Sequence, residues 1–278
     1  MMNVWIGLAG SMAIAGLAYW KQSLSGSGAA AAVVVGWLLY VTGSPAWYGT
    51  LIAFFLSSSF LSHYKKKLKK EAESGYAKSG KRDAGQVLAN GGLAAACGLL
   101  HYLFPHPVWW MAFVGAMAAV NADTWATEIG GISRAQPRSI VTWKKVAAGT
   151  SGGVTWAGIA ASAAGGLFIG MMSWLFLSLW PAQVGSSVLA DGPSGLLSLS
   201  LLGLAGGISG SLADSFAGAK WQEMHRCRKC GKEIERTVHC GIPALRIRGL
   251  RGMNNEAVNL LASAVGAAAA VTAGMWLV

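Results

Sequence analysis

Apolar residues fall into blocks of roughly bilayer length, separated by polar connections. A helix crossing the hydrocarbon needs ~20 mostly apolar residues. Blocks at about 3–20, 27–42, 46–62, 87–104, 108–129, 154–180, 196–217 and 256–277 therefore predict eight transmembrane helices in an all-α, polytopic membrane bundle. The fifth block is the most informative. Its strictly apolar part, 108–120, has only 13 residues, so the helix must run on through Asn121 and Asp123 to about Glu128. Two carboxylates then lie near one end of a span. A charge at mid-membrane costs ~2.5–3.5 kcal/mol on the gentlest scale, and such groups face a wet cavity or a partner. A position near the interface lowers that cost.

Composition agrees with the pattern. The chain is 54% hydrophobic and 12% charged, against about 25% charge in soluble domains. We read 1–278 as one integral membrane domain, with 1–62 as scaffold spans and 63–278 carrying the chemistry. The longest polar connections, about 62–86 and 218–255, leave no room for a separate soluble domain. If the spans alternate, all 22 basic residues fall on one side: Lys21 and those within 65–82, 134–145 and 220–251. Under the positive-inside rule that side is cytoplasmic, which puts both termini outside, in the plasma membrane. No basic residue precedes the first apolar run, so no cleavable signal is expected. The net charge of +11 fits both this topology and attraction for anionic lipid heads or phosphorylated substrates. No nucleic-acid partner is expected.

Polar residues inside the spans cluster at one depth. Asp83, Gln86 and Asn90 share one face of the helix entering span four. Asp123 and Glu128 end span five. Asp214 sits near the end of span seven, on a face with Gly207, Ser211 and Gly218. Asn254, Asn255, Glu256 and Asn259 open span eight. The turn Gly149-Thr150-Ser151-Gly152-Gly153, preceded by Arg138, Lys144 and Lys145, reads as a helix start whose N–H groups suit an anion. Thr150 or Ser151 could equally be a plain N-cap. The lysine run 65–70 reads as a surface for anionic lipid, and the P-loop-like spacing at 75–82 as coincidence, since Arg82 stands where Ser or Thr belongs. Beyond this layer and the basic loops, Asp191 is the one carboxylate. Such a layer suits a head-group site reached from the cytoplasm. Transporters more often gather polar groups at the midplane.

The loop 220–251 carries Cys227-Arg-Lys-Cys230-Gly and His239-Cys240-Gly, a spacing similar to zinc knuckles. Structural zinc and a metal-free hairpin both remain open, and His239 or His225 would complete the three thiolates. Cys97, inside span four, reads as core.

Together these pieces resemble a known family, the polytopic membrane proteins of domain of unknown function 92, which include chloroplast phytyl-phosphate kinase and vertebrate transmembrane relatives. The matching motifs are Lys81-Arg82-Asp83-Ala-Gly-Gln86 with Asn90, Ala122-Asp123-Thr124-Trp125 with Glu128-Ile-Gly130, the 149–153 turn, Asp214-Ser215, and Asn254-Asn255 with Val258-Asn259. They run from about residue 78 to the end. The resemblance implies a kinase that converts phytyl, geranylgeranyl or farnesyl phosphate to the diphosphate, with CTP as donor. It implies Mg²⁺ held by Asp123 and Asp214, with Glu128 or Asp83 assisting. Arg82, Gln86, Arg138, Lys144, Lys145 and the turn Gly149, Thr150, Ser151, Gly152 would take the phosphates. Asn90, Asn254, Asn255 and Asn259 would orient the acceptor or bound water. A transporter or flippase for a phospho-lipid or anion is the second reading, and predicts polar residues through the outer half of the spans, where few occur. The motif of CDP-alcohol phosphotransferases, Asp-Gly and Ala-Arg pairs followed by further aspartates within one stretch, is absent.

Overall fold

The computed structural model describes residues 2–64, 80–180 and 192–277. The lysine run 65–70, the start of the P-loop-like segment and Asp191 lie outside them. Among the described residues are eight helices: α1 (Met2–Trp20), α2 (Gly26–Thr42), α3 (Pro45–His63), α4 (Ala84–Leu103), α5 (Pro107–Ile132), α6 (Trp156–Leu179), α7 (Gly192–Lys220) and α8 (Asn255–Leu277). Each coincides with one apolar block, and α5 runs through Asn121, Asp123 and Glu128 as its short apolar core requires. By length and composition three of them, α6, α7 and α8, are apolar enough to cross a membrane. The helix ends follow from local chemistry. Ser44 accepts from the Ala46 N–H with Pro45 just inside, and Thr155 accepts from the Gly158 N–H.

Helix α5 is the axis. Its residues from Trp110 to Ala122 are buried on every side, as expected of a helix that is apolar all round. It packs on α3, α4, α6, α7 and α8, while α1 lies outside α2. Trp47 of α3 meets Trp110 and Phe113 with ring centroids 5.0 and 4.5 Å apart, a tilted packing that aromatic quadrupoles favour.

Small residues bring the other helices to backbone contact, because lipid supplies little hydrophobic drive for helix association. A Cβ on Gly166 of α6 would lie 2.5 Å from the Gly203 carbonyl of α7. Gly115, Gly206 and Gly266 meet where α5, α7 and α8 converge. Buried polar groups then link the helices. Asn121 accepts from Ser57 Oγ at 2.9 Å and donates to the Gly165 carbonyl at 2.8 Å. Ser162 and Ser211 are bonded at 2.9 Å.

The all-α expectation holds for the bundle but not for its connections. Strands β1 (Arg138–Ser139) and β2 (Gly153–Val154) pair antiparallel between α5 and α6. Between α7 and α8, β3 (Met224–Arg226) is the centre of a sheet with β4 (Glu233–Ile234) and β7 (Leu245–Arg248), and β5 (Val238–His239) pairs with β6 (Ile242–Pro243). These strands are too short to register as alternating hydrophobic patterns.

Candidate functional site

One end of the bundle holds a cavity of about 390 Å³, within the range of small-molecule sites. Asp123 and Glu128 reach it from α5, Asp214 from α7, Asn255, Glu256 and Asn259 from α8, and Arg82, Gln86 and Asn90 from the start of α4. The carboxylates and asparagines of the polar layer thus converge, with the exceptions of Asp83 and Asn254. Asn259 Nδ2 donates to Asn90 Oδ1 at 3.3 Å, tying α8 to α4. Glu128 accepts from Ser62 Oγ at 2.6 Å. Ser62 and His63 bring the end of α3 into the wall.

The carboxylates are the groups that could hold a cation here. Asp214 lies within the electric field of both Asp123 and Glu235, and its Oδ2 is buried without a hydrogen-bond partner. Buried polar oxygens are nearly always satisfied, and converging carboxylates repel unless a cation lies among them. Oxygen donors of this kind suit Mg²⁺. The half-buried Arg82 places its guanidinium 5.9 Å from the Phe54 and Phe55 ring centroids. Burial lowers its pKa, while the Glu128 carboxylate acts to raise it.

The turn Gly149, Thr150, Ser151, Gly152 also lines the cavity. It does not open α6 directly. Thr155 is the N-cap, and the turn precedes β2. Gly152 has φ +83° and lies against Ser215 and Ala219 of α7, a backbone conformation and a tight fit that both require glycine. Ser151 Oγ donates to Gln222 Oε1.

Several residues expected at the site lie elsewhere. Asp83 is the N-cap of α4: its carboxylate accepts from the Gln86 N–H at 3.0 Å, and Gln86 Oε1 accepts from the Asp83 N–H at 3.2 Å. This reciprocal pair is a capping box. Arg138, Lys144 and Lys145 are exposed and do not line the cavity. Arg138 Nη1 donates to the Trp143 carbonyl at 3.0 Å, since the β1–β2 connection folds on itself. Asn254 caps α8 by accepting from the Ala257 N–H at 3.0 Å. Conversely, Glu235, Gln222 and Ser162 line the cavity without having been expected there. In the same loop Glu233 pairs with Arg226 at 3.0 Å and Glu223 with Arg246 at 3.4 Å.

A second, apolar crevice of about 70 Å³ lies between α1, α2, α3 and α4, against Ala15, Ala32, Val35, Phe54 and Val87. It shares Arg82, Gln86 and Asn90 with the polar cavity. Beyond the cavity, Cys227, Cys230, His239 and Cys240 gather in the α7–α8 connection. The Cys230 backbone N–H and the His239 ring pull the Cys227 thiol down to about 6. Cys97 is buried in α4, as expected of a core residue.

The profile of the family described as "Integral membrane protein DUF92" matches residues 9–267. The chain is 34% identical over 266 residues to "Protein PGR" of Arabidopsis thaliana, covering 90% of this chain and 89% of that protein. It is 28% identical over 249 residues to an uncharacterized membrane protein of Methanocaldococcus jannaschii, covering 88% and 84% respectively. No solved structure matches it. The match along nearly the whole chain, over the segments that build the cavity, places this protein in the DUF92 family of integral membrane proteins.

Proposed function

We propose that this protein is an isoprenyl-phosphate kinase, transferring a phosphoryl group from CTP to a membrane-borne isoprenyl monophosphate. The observation that carries the reading is the junction at Arg82, Gln86 and Asn90, where a carboxylate-rich cavity meets an apolar crevice. A substrate with an anionic head and a hydrocarbon tail fits that pair of spaces. The crevice suits the proximal part of the tail, with the remainder in lipid. The cavity would face the cytoplasm across the plasma membrane, in the eight-span topology that gathers the basic loops on that side.

In the reaction, an oxygen of the acceptor phosphate bonds to the γ-phosphorus of CTP. The bond from that phosphorus to the β–γ bridging oxygen breaks, and CDP leaves with the electron pair. A phosphate monoester has a second pKa of about 6 and is largely dianionic near neutrality, so the attack needs no general base. The residues act by positioning and charge, as phosphoryl transfer requires. Arg82 anchors the acceptor phosphate, with Asn90 and Asn259 held to each other beside it. The glycine turn offers N–H groups to the nucleotide phosphates. Asp123 and Asp214 would hold Mg²⁺, which neutralises phosphate oxygens when bound.

The direct test is purified protein with geranylgeranyl, phytyl or farnesyl phosphate, Mg²⁺ and labelled CTP, ATP, GTP or UTP. Labelled diphosphate is expected, CTP serving best. Folded protein that yields no diphosphate with any pair overturns the reading.

Two substitutions probe the junction. Arg82→Ala should raise KM for the lipid phosphate by about 10- to 100-fold, the loss of a charge-assisted hydrogen bond worth roughly 1.5–3 kcal/mol. Ala32→Phe fills the crevice and should raise the same KM about tenfold, equivalent to roughly two buried methylenes. Initial-rate kinetics should show the nucleotide KM unchanged in the second variant; equal rises in both constants would remove the crevice from tail binding.

A further inference from the structure

We infer that Cys227, Cys230, His239 and Cys240 form a structural zinc site that folds the 221–253 lobe and so presents Glu235 to the cavity. This inference stands apart from the kinase reading, because it concerns how the lobe is held whatever the cavity binds.

The donor atoms all lie within 4.8 Å of one another. His239 Nδ1 is 3.5 Å from Cys230 Sγ and 3.1 Å from Cys240 Sγ. Ligands around one tetrahedral zinc, at about 2.3 Å for sulfur and 2.0–2.1 Å for nitrogen, stand roughly 3.5–3.8 Å apart. The four donors are therefore close to the spacing that the ion needs.

The backbone is shaped for the same purpose. Gly231, at φ +73°, donates its N–H to the Cys227 carbonyl at 2.9 Å, and the Cys227 N–H donates to the Lys232 carbonyl at 3.0 Å. This tight turn folds Cys230 back over Cys227. On the other side of the cluster, Cys240 and Gly241 have φ +53° and +76°, the pair of left-handed residues that a two-residue hairpin between β5 and β6 demands. Successive side chains of an extended strand point to opposite faces. The reversal at Cys240 removes that obstacle, so two adjacent residues can offer donors to one ion. His225, the other candidate, lies in β3 with Nε2 3.8 Å from Glu223 Oε1 and belongs to that pair.

The lobe has reason to need a metal. Segments below about 40 residues seldom build a sufficient core alone, and Met224, Cys227 and Ile234 are the buried hydrophobic residues of this one. Its base is fixed to the bundle: Arg248 donates to the Gly218 and Ala219 carbonyls at 2.8 and 2.6 Å, satisfying the otherwise open end of α7. Its far part has the cysteine cluster. Glu235, directly after β4 and between Cys230 and His239 in the chain, lines the cavity.

The test uses the full chain, purified in detergent without added metal. Elemental analysis should find about one zinc per chain, kept in Cys97→Ser and reduced at least about tenfold in Cys230→Ser and Cys240→Ser. Trypsin provides a second readout, since Arg228, Lys229 and Arg236 are exposed. These bonds should resist cleavage in the metal-loaded protein and be cut after chelation or in either variant, with helical circular dichroism retained. Absence of zinc from a trypsin-resistant lobe would overturn the inference. So would zinc retained in both cysteine variants, or a disulfide among these thiols found by mass spectrometry.

Discussion

Asp123→Asn and Asp214→Asn should each lower phosphoryl transfer by at least about 10²–10³-fold, the scale set by removing one group aimed at developing charge. The amide keeps size and shape but removes a carboxylate charge from the group formed by Asp123, Asp214 and Glu235. Asp214 carries the sharper expectation, because its Oδ2 has no protein partner to compensate. Both variants should fold, since relief of carboxylate repulsion favours the bundle. Rates with saturating lipid phosphate and CTP across a Mg²⁺ titration decide the matter. A lost kcat that extra Mg²⁺ does not restore fits direct coordination, and near-normal turnover in either variant removes that residue from the site.

A large effect on stability is expected at Gly206, where three helices converge. Even an alanine there places its Cβ 2.7 Å from Gly115 Cα and 3.0 Å from the Gly115 and Gly266 carbonyls. All three are backbone atoms of neighbouring helices, so no rotamer change relieves the contact. Overpacking of this kind costs about 1–3 kcal/mol and more when backbone must shift. Gly206→Val should therefore lower the thermal midpoint in detergent well below that of Gly206→Ala. Gly92→Ala is the control. Nothing lies within 4 Å of its Cβ, and alanine is the better helix former, so its midpoint should hold or rise. A Gly206→Val protein with an unchanged midpoint would mean that α5, α7 and α8 do not meet as described.

The depth of the polar layer was legible because a span of fixed length sets where each residue lies along the membrane normal. Asp123, Glu128, Asp214, Asn255 and Asn259 were assigned on that ground and do converge. Lateral direction was not legible. Arg138, Lys144 and Lys145 are near the cavity in sequence, yet the β1–β2 connection turns them outward. Asp83 could have been read differently, since Asp-Ala-Gly-Gln is itself a capping-box sequence. Glu235 left little signal: a lone acid in a basic loop gives no hint that a sheet centred on β3 will deliver it to the membrane body.

The backbone contacts among α5, α6, α7 and α8 also decide how the site can be served. Domains that shear do so by sliding packed side chains over one another, and here the Gly166–Gly203 and Gly115–Gly206–Gly266 junctions leave no such bearing surface. A carrier that exposes one pocket alternately to two compartments would need one. These junctions thus favour a cavity with fixed walls, in which ligands would enter and leave at the same end of the bundle.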